Sequence, residues 1–169
     1  MSMAVASVTI RPATAADTPT LERFAAGLQE FELPLDATLM PAAEMLANGY
    51  VPAMLREMAE EQGLTLIAEL AGRPVGYGHC IVKVEDDTTM RPEARQHVYV
   101  TDLFVEEASR GRGAAQALLA AMQDHAQALG IRRMRITTLA SNARAARAYR
   151  RFGFRDHTLN LERTLPDGS

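Results

Sequence analysis

The sequence predicts a mixed α/β domain: a central, mostly antiparallel sheet flanked by about four helices, in the order βααβββαβαβ. Apolar residues recur at helical spacing up to residue 62 and again between residues 114 and 152. Between them, residues 64–105 hold three strand-like runs separated by turn residues. Length agrees: 169 residues, 47% hydrophobic, suit one domain over residues 1–169 with a core of its own.

Val8 to Arg11 reads as a short strand ending at Pro12. Thr14 or Asp17 then caps a helix with Leu21, Phe24, Ala25 and Leu28 on one face. After Pro34 to Pro41 a second helical stretch runs from Ala42 to Gln62, interrupted near Gly49 and Pro52. Leu64 to Leu70 is a strand, Ala71 to Pro74 a turn, and Val75 to Val84 the next strand. Glu85 to Glu93 is polar and reads as an exposed hairpin loop. Gln96 to Val105 is nearly all β-branched, aromatic or aliphatic and is expected at the centre of the sheet. A helix to Leu129 carries Leu118, Met122, His125 and Leu129 on one face, with Gly130 as its C-cap. Arg132 to Leu139 is a strand, Asn142 to Phe152 a helix stopped at Gly153, and Leu159 to Leu165 a last strand.

The formal net charge of −3 argues against non-specific nucleic-acid binding, which runs on phosphate neutralisation. No apolar run reaches membrane-spanning length, and the first residues lack a secretory pattern. Cys80 is the single cysteine, so no internal disulfide forms, and a cytoplasmic location is expected. No His, Asp or Glu cluster has metal-ligand spacing, so no metal is expected.

The sharpest local feature is the run Val105 to Ala115. A buried strand enters a turn containing Gly111 and Gly113, which opens an amphipathic helix. Glycine lets the backbone bend so that several amides converge, and a helix N-terminus adds unpaired donors. Together they make a phosphate cradle. The competing reading is a plain strand-to-helix turn capped by Ser109. Neither the dinucleotide-binding glycine pattern nor the P-loop lysine is present.

Two linked blocks decide between these readings. Arg110, Gly111, Arg112, Gly113, Ala114 and Ala115 fit the Arg/Gln-x-x-Gly-x-Gly/Ala signature of the GNAT superfamily of N-acetyltransferases. Asn142, Tyr149 and Phe152-Gly153-Phe154 resemble the asparagine–helix–tyrosine–GF block that follows it in that superfamily. The resemblance covers roughly Val98 to Leu165 and implies a GNAT fold and acetyl-CoA as co-substrate.

The resemblance also implies roles. The pyrophosphate of CoA sits on the amides of Arg110 to Ala115, and the pantetheine arm pairs with the backbone of Leu103, Phe104 and Val105. An amide there polarises the thioester carbonyl. Asn142 is either a helix N-cap alone or also a contact to the CoA arm. Tyr149 is either a half-buried core residue beside Phe152 or the donor to the departing sulfur. A phenol near pKa ~10 facing a thiolate near ~8.5 is mismatched by about 2 kcal/mol, so its help is hydrogen bonding with partial transfer.

A primary amine near pKa ~10.4 must lose a proton before attack. Asp102, an acid in an otherwise apolar strand, is the candidate base; its other reading is a structural hydrogen-bond partner. Relatives similar to diamine and polyamine acetyltransferases often carry an acid pair here, whereas this chain has Thr101-Asp102. Glu69, His79 and a water chain are the alternatives, while His97 and His125 read as ordinary surface or helix residues. The eight arginines from Arg132 to Arg155 are mostly a solvated helix face, with one or two free to meet the CoA 3′-phosphate. The acceptor pocket is expected between residues 30–62, the Glu85–Gln96 hairpin and the C-terminal strand. Their acids (Glu30, Glu32, Asp36, Glu85, Asp86 and Asp87) favour a cationic small-molecule amine. A protein or peptide acetyltransferase and a non-catalytic acyl-CoA sensor are the alternatives, and the short tail after Gly153 allows strand pairing across a homodimer.

Overall fold

The computed structural model describes residues 7–165. It contains β1 (Val8–Pro12), α1 (Thr18–Glu32), α2 (Ala42–Ala47), α3 (Tyr50–Glu60), β2 (Leu64–Leu70), β3 (Arg73–Val84), β4 (Gln96–Val105), α4 (Ala114–Ala128), β5 (Met134–Ile136) and α5 (Ala143–Phe152). The sheet order is β1-β2-β3-β4-β5. All neighbours are antiparallel except β4 and β5, which run parallel.

Period-two alternation divides the sheet between two cores. Leu66, Cys80, Val82, Val98 and Val100 pack with Leu118, Leu119 and Met122 of α4. Ile67 and Tyr77 pack with Leu21, Phe24, Val51 and Met54 of α1 and α3. Each fully buried side chain of this size contributes about 1.5–3 kcal/mol relative to exposure. Arg11 secures the first strand by ion pairs of 2.8 Å to both Asp17 and Glu69.

One irregularity matters for the site. In the β3–β4 register Val100 faces Cys80 and Asp102 faces His79, so Thr101 is an extra residue without a partner. This bulge reverses the alternation of β4. Val98 and Val100 face α4, whereas Asp102 and Phe104 turn towards α1 and α3. Strict alternation would have aimed an ionisable carboxyl at Leu118 and Met122.

The interruption expected near Gly49 is present and divides the second helical stretch into α2 and α3, with Gly49 at a left-handed φ of 82° just before α3. Several expectations need correction. Pro52 does not interrupt α3, because it lies in the first turn, where amides lack intrahelical partners. The strand expected over Arg132 to Leu139 pairs only at Met134–Ile136. Residues 159–165 form no strand: Leu159, Leu161 and Leu165 are 79%, 88% and 73% exposed. His97 is not a surface residue but a buried one on β4. Ser109 does not cap α4; it is buried within a 3₁₀ turn, and Gly113 holds the N-cap position. No helix of the described residues is long and apolar enough to cross a membrane.

Candidate active site

β4 extends to Val105, yet its pairing with β5 ends at Val100 opposite Ile136. Beyond that point the two strands part. On the other side β3 stays paired with β4 as far as Gly76–Val105. One edge of residues 101–105 is therefore open, and a cavity of about 670 Å³ lies against it. Its walls come from α1, β4, the glycine turn, the start of α4, β5 and α5, with Met45 of α2, Tyr50 of α3 and Tyr77 of β3.

At one end stand Gly111, Gly113, Ala114 and Ala115. Gly111 and Gly113 have φ of 76° and 88°, a region that costs an ordinary L-residue roughly 1–2 kcal/mol. Helix α4 starts immediately after them, so its first amides lack intrahelical acceptors. No acidic side chain occupies its first turn. Arg110 and Arg144 line the same region, and burial, with the charge of Arg144 second, lowers the proton affinity of Arg110. The Arg110 Nε also donates to the Val105 carbonyl at 3.0 Å, and its guanidinium lies 5.4 Å from the Phe31 ring. Unpaired amides, a helix N-terminus and uncompensated arginines fit a polyphosphate ligand. Arg112 is exposed and does not line the cavity.

Leu103, Phe104 and Val105 form the wall along the open edge. Asn142 lines the opposite wall, and its Oδ1 accepts from the Ala145 amide at 3.1 Å, as an N-cap does. Tyr149 lines the cavity from the same side of α5, about two turns further on, and packs edge-on against Phe154, with ring centroids 6.2 Å apart. Burial, assisted by the charge of Glu32, pushes its phenol up to about 12. It is thus a neutral hydrogen-bond donor across the physiological range.

Asp102 also lines the cavity and is only 5% exposed. Tyr77 donates to its Oδ2 at 2.7 Å, and Tyr50 reaches Oδ1 and Oδ2 at 2.9 and 2.8 Å. Burial raises its pKa; the two phenols oppose that shift, and Glu57 adds to it. Glu32 of α1 lines the same cavity, and burial and the charge of Asp102 push its pKa up. The contrast with other acids is clear: Asp17, Glu69, Glu106 and Asp156 each pair with an arginine.

The remaining candidates fall elsewhere. Glu69 is engaged by Arg11. His79 is buried against Thr65, at 2.9 Å, and desolvation lowers its pKa to about 4. Neither lines the cavity. The Glu85–Gln96 loop is absent from its walls, and Glu85 instead pairs with Arg135. Glu32 is the one member of the expected acidic set that lines it. Of the last-third arginines, Arg144 and Arg151 line the cavity. Tyr50 and Tyr77 were not singled out by sequence. The available signal was a tyrosine between two glycines in an apolar strand, since a buried phenol needs a partner. Among the described residues, no group of three metal-ligating side chains comes together.

An arginine-flanked glycine turn at the head of a helix stands beside a strand with one free edge in a mixed sheet, an arrangement that fits a phosphate-bearing ligand. Residues 33–154 match the acetyltransferase (GNAT) family, and the chain belongs to that family. Similar solved structures include the aminoglycoside N-acetyltransferase AAC(6')-Iy in complex with the bisubstrate analogue CoA-S-monomethyl-acetylneamine. It is 20% identical with a TM-score of 0.70, covering 94% of this chain and 99% of that one. AAC(6')-IG from Acinetobacter haemolyticus, an aminoglycoside 6'-N-acetyltransferase, is 16% identical with a TM-score of 0.69, over 94% and 99%. A GCN5-related N-acetyltransferase from Ralstonia eutropha JMP134 is 18% identical with a TM-score of 0.72, again over 94% and 99%. These likenesses establish the common fold. No curated protein matches the sequence.

Proposed function

We propose that this protein transfers the acetyl group of acetyl-CoA directly to a primary amine on a small cationic molecule. One observation carries the reading: a single cavity joins the glycine turn and its arginines to two carboxylates, Asp102 and Glu32, that have no basic partner. A buried anion without a counter-charge is costly, and a cationic ligand removes that cost. The amides of residues 110–115, with Arg144 or Arg151, suit the CoA phosphates. The open edge of Leu103, Phe104 and Val105 suits the pantetheine arm as an added strand.

When bound, acetyl-CoA supplies the thioester: its carbonyl carbon–sulfur bond breaks as the nitrogen–carbon bond forms, and one proton is released overall. In this reading Asp102 takes a proton from the acceptor ammonium and frees the lone pair. Burial suits the task, because raising a carboxyl's pKa brings it closer to that of an amine. Tyr149 donates to the departing sulfur, and an amide of Leu103–Val105 polarises the carbonyl.

The test is a panel of monoamines, diamines, aminosugars and peptides assayed for CoA release. Turnover confined to small cationic amines is the expected result. Turnover of peptides alone moves the acceptor to proteins. Tight acetyl-CoA binding with no turnover on any amine makes the domain a sensor.

The exposed leucines of residues 159–165 and the outer edge of β5 support a homodimer in which tails and edges meet. A monomeric mass at micromolar concentration in sedimentation equilibrium rules that out.

A further inference from the structure

Asp102 is held by groups from two different elements. Tyr77 reaches it from β3 and Tyr50 from the first residue of α3. A carboxylate offers about four lone-pair sites. Tyr77 takes one on Oδ2, and Tyr50 lies within reach of both oxygens at 2.9 and 2.8 Å, so Oδ2 meets two phenols and Oδ1 one. Oδ1 is left the less occupied oxygen. Both hydroxyls can only donate to an ionised acid, and neither brings a positive charge that would compete with an incoming ammonium. An arginine in their place would neutralise Asp102 and block that role.

We infer that Tyr50 and Tyr77 are positioning residues for acetyl transfer, fixing the Asp102 carboxylate in one orientation with Oδ1 left for the acceptor nitrogen. The inference rests on the reading of Asp102 as the proton acceptor. The ionisable groups that bear on Asp102 are Tyr77 from β3, Tyr50 and Glu57 from α3, and Glu32 from α1. Thr101, its neighbour, donates instead to the His79 carbonyl at 3.2 Å. Helix α3 lies outside the glycine-turn and asparagine–tyrosine blocks. The Gly49 break thus places a side chain of the helical layer onto a strand residue of the site.

The sign of the effect is definite. Each phenol favours the ionised form of Asp102, so removing one raises the pKa of the carboxyl. The acid limb of kcat/KM then moves to higher pH.

Tyr50→Phe and Tyr77→Phe keep the rings and delete the hydroxyls. Each is expected to shift the acid limb upwards by roughly one pH unit. The KM for acetyl-CoA should stay within a few-fold, since both rings stay in the cavity wall and the hydroxyls removed are the ones bound to Asp102. Melting temperature and acetyl-CoA affinity, measured alongside, establish that each variant is folded. A uniform loss at every pH in both variants would mean mere packing and overturns the inference. So does an unshifted limb. Asp102→Asn separates the two levels. If it abolishes the limb while the phenylalanine variants leave the wild-type limb in place, only the positioning role fails. If it retains the limb, Asp102 is not the proton acceptor and both fall.

Discussion

Asp102→Asn is expected to lower kcat/KM by roughly 10²–10⁴-fold at neutral pH, the range of general acid–base effects. Asparagine keeps the shape of the side chain and can still accept from Tyr50 or Tyr77 through its amide oxygen. It cannot take a proton from an ammonium. The loss should shrink as pH approaches ~10, where free amine is abundant. Stability should not explain the result. The folded carboxyl has its pKa raised by burial, so its charged form costs folding energy once pH exceeds the unfolded value. Replacing it with a neutral amide is therefore expected to hold or raise the melting temperature at pH 7. A loss of the same size at all pH values would make Asp102 a structural or acceptor-binding carboxylate.

Tyr149→Phe is expected to lower kcat by about 10²-fold, the lower end of the same range, with acetyl-CoA binding within a few-fold. The ring keeps its edge contact with Phe154, so packing survives. The hydroxyl alone is lost. With the phenol pushed up to about 12, full proton transfer to a thiolate near ~8.5 is uphill by about 5 kcal/mol. In the proposed reaction the residue therefore serves as a hydrogen-bond donor to charge developing on sulfur, and a modest contribution is expected. Unaltered turnover would mean that water serves the sulfur. Weakened acetyl-CoA binding in parallel with turnover would mean that the ring's packing, not its hydroxyl, is what matters.

Local pattern made the glycine-turn end of the cavity and the α5 wall legible. The glycine turn, the helix it opens and the Asn142–Tyr149 spacing all depend on near neighbours in the chain, through φ preference, capping and helical phase. The structure places Gly113 before α4, caps α5 with Asn142 and brings Tyr149 into the cavity wall. The rest of the cavity was less legible. The expected loop walls are absent, because Glu85 is held by Arg135 and lies away from the cavity.

By itself, then, the sequence determined the five strands and the helices between them, apart from the division of the second helical stretch into α2 and α3, and the glycine turn that opens α4. These follow from periodicity and from residues that act within a few positions of one another. It also identified Asp102 as an acid in an apolar strand. Only the tertiary structure decided where that acid points. The unpaired Thr101 arises from how β3 and β4 register against each other, a long-range property that alternation within one strand does not encode. The same holds for its partners: Tyr50 and Tyr77 stand 52 and 25 residues away in the chain and meet Asp102 only after helix α3 has packed on the sheet. The tail after Gly153 makes the opposite point. Its alternating leucines predict a strand, but among the described residues 159–165 pair with no strand, and whether a segment joins a sheet is decided by long-range pairing rather than by its own alternation.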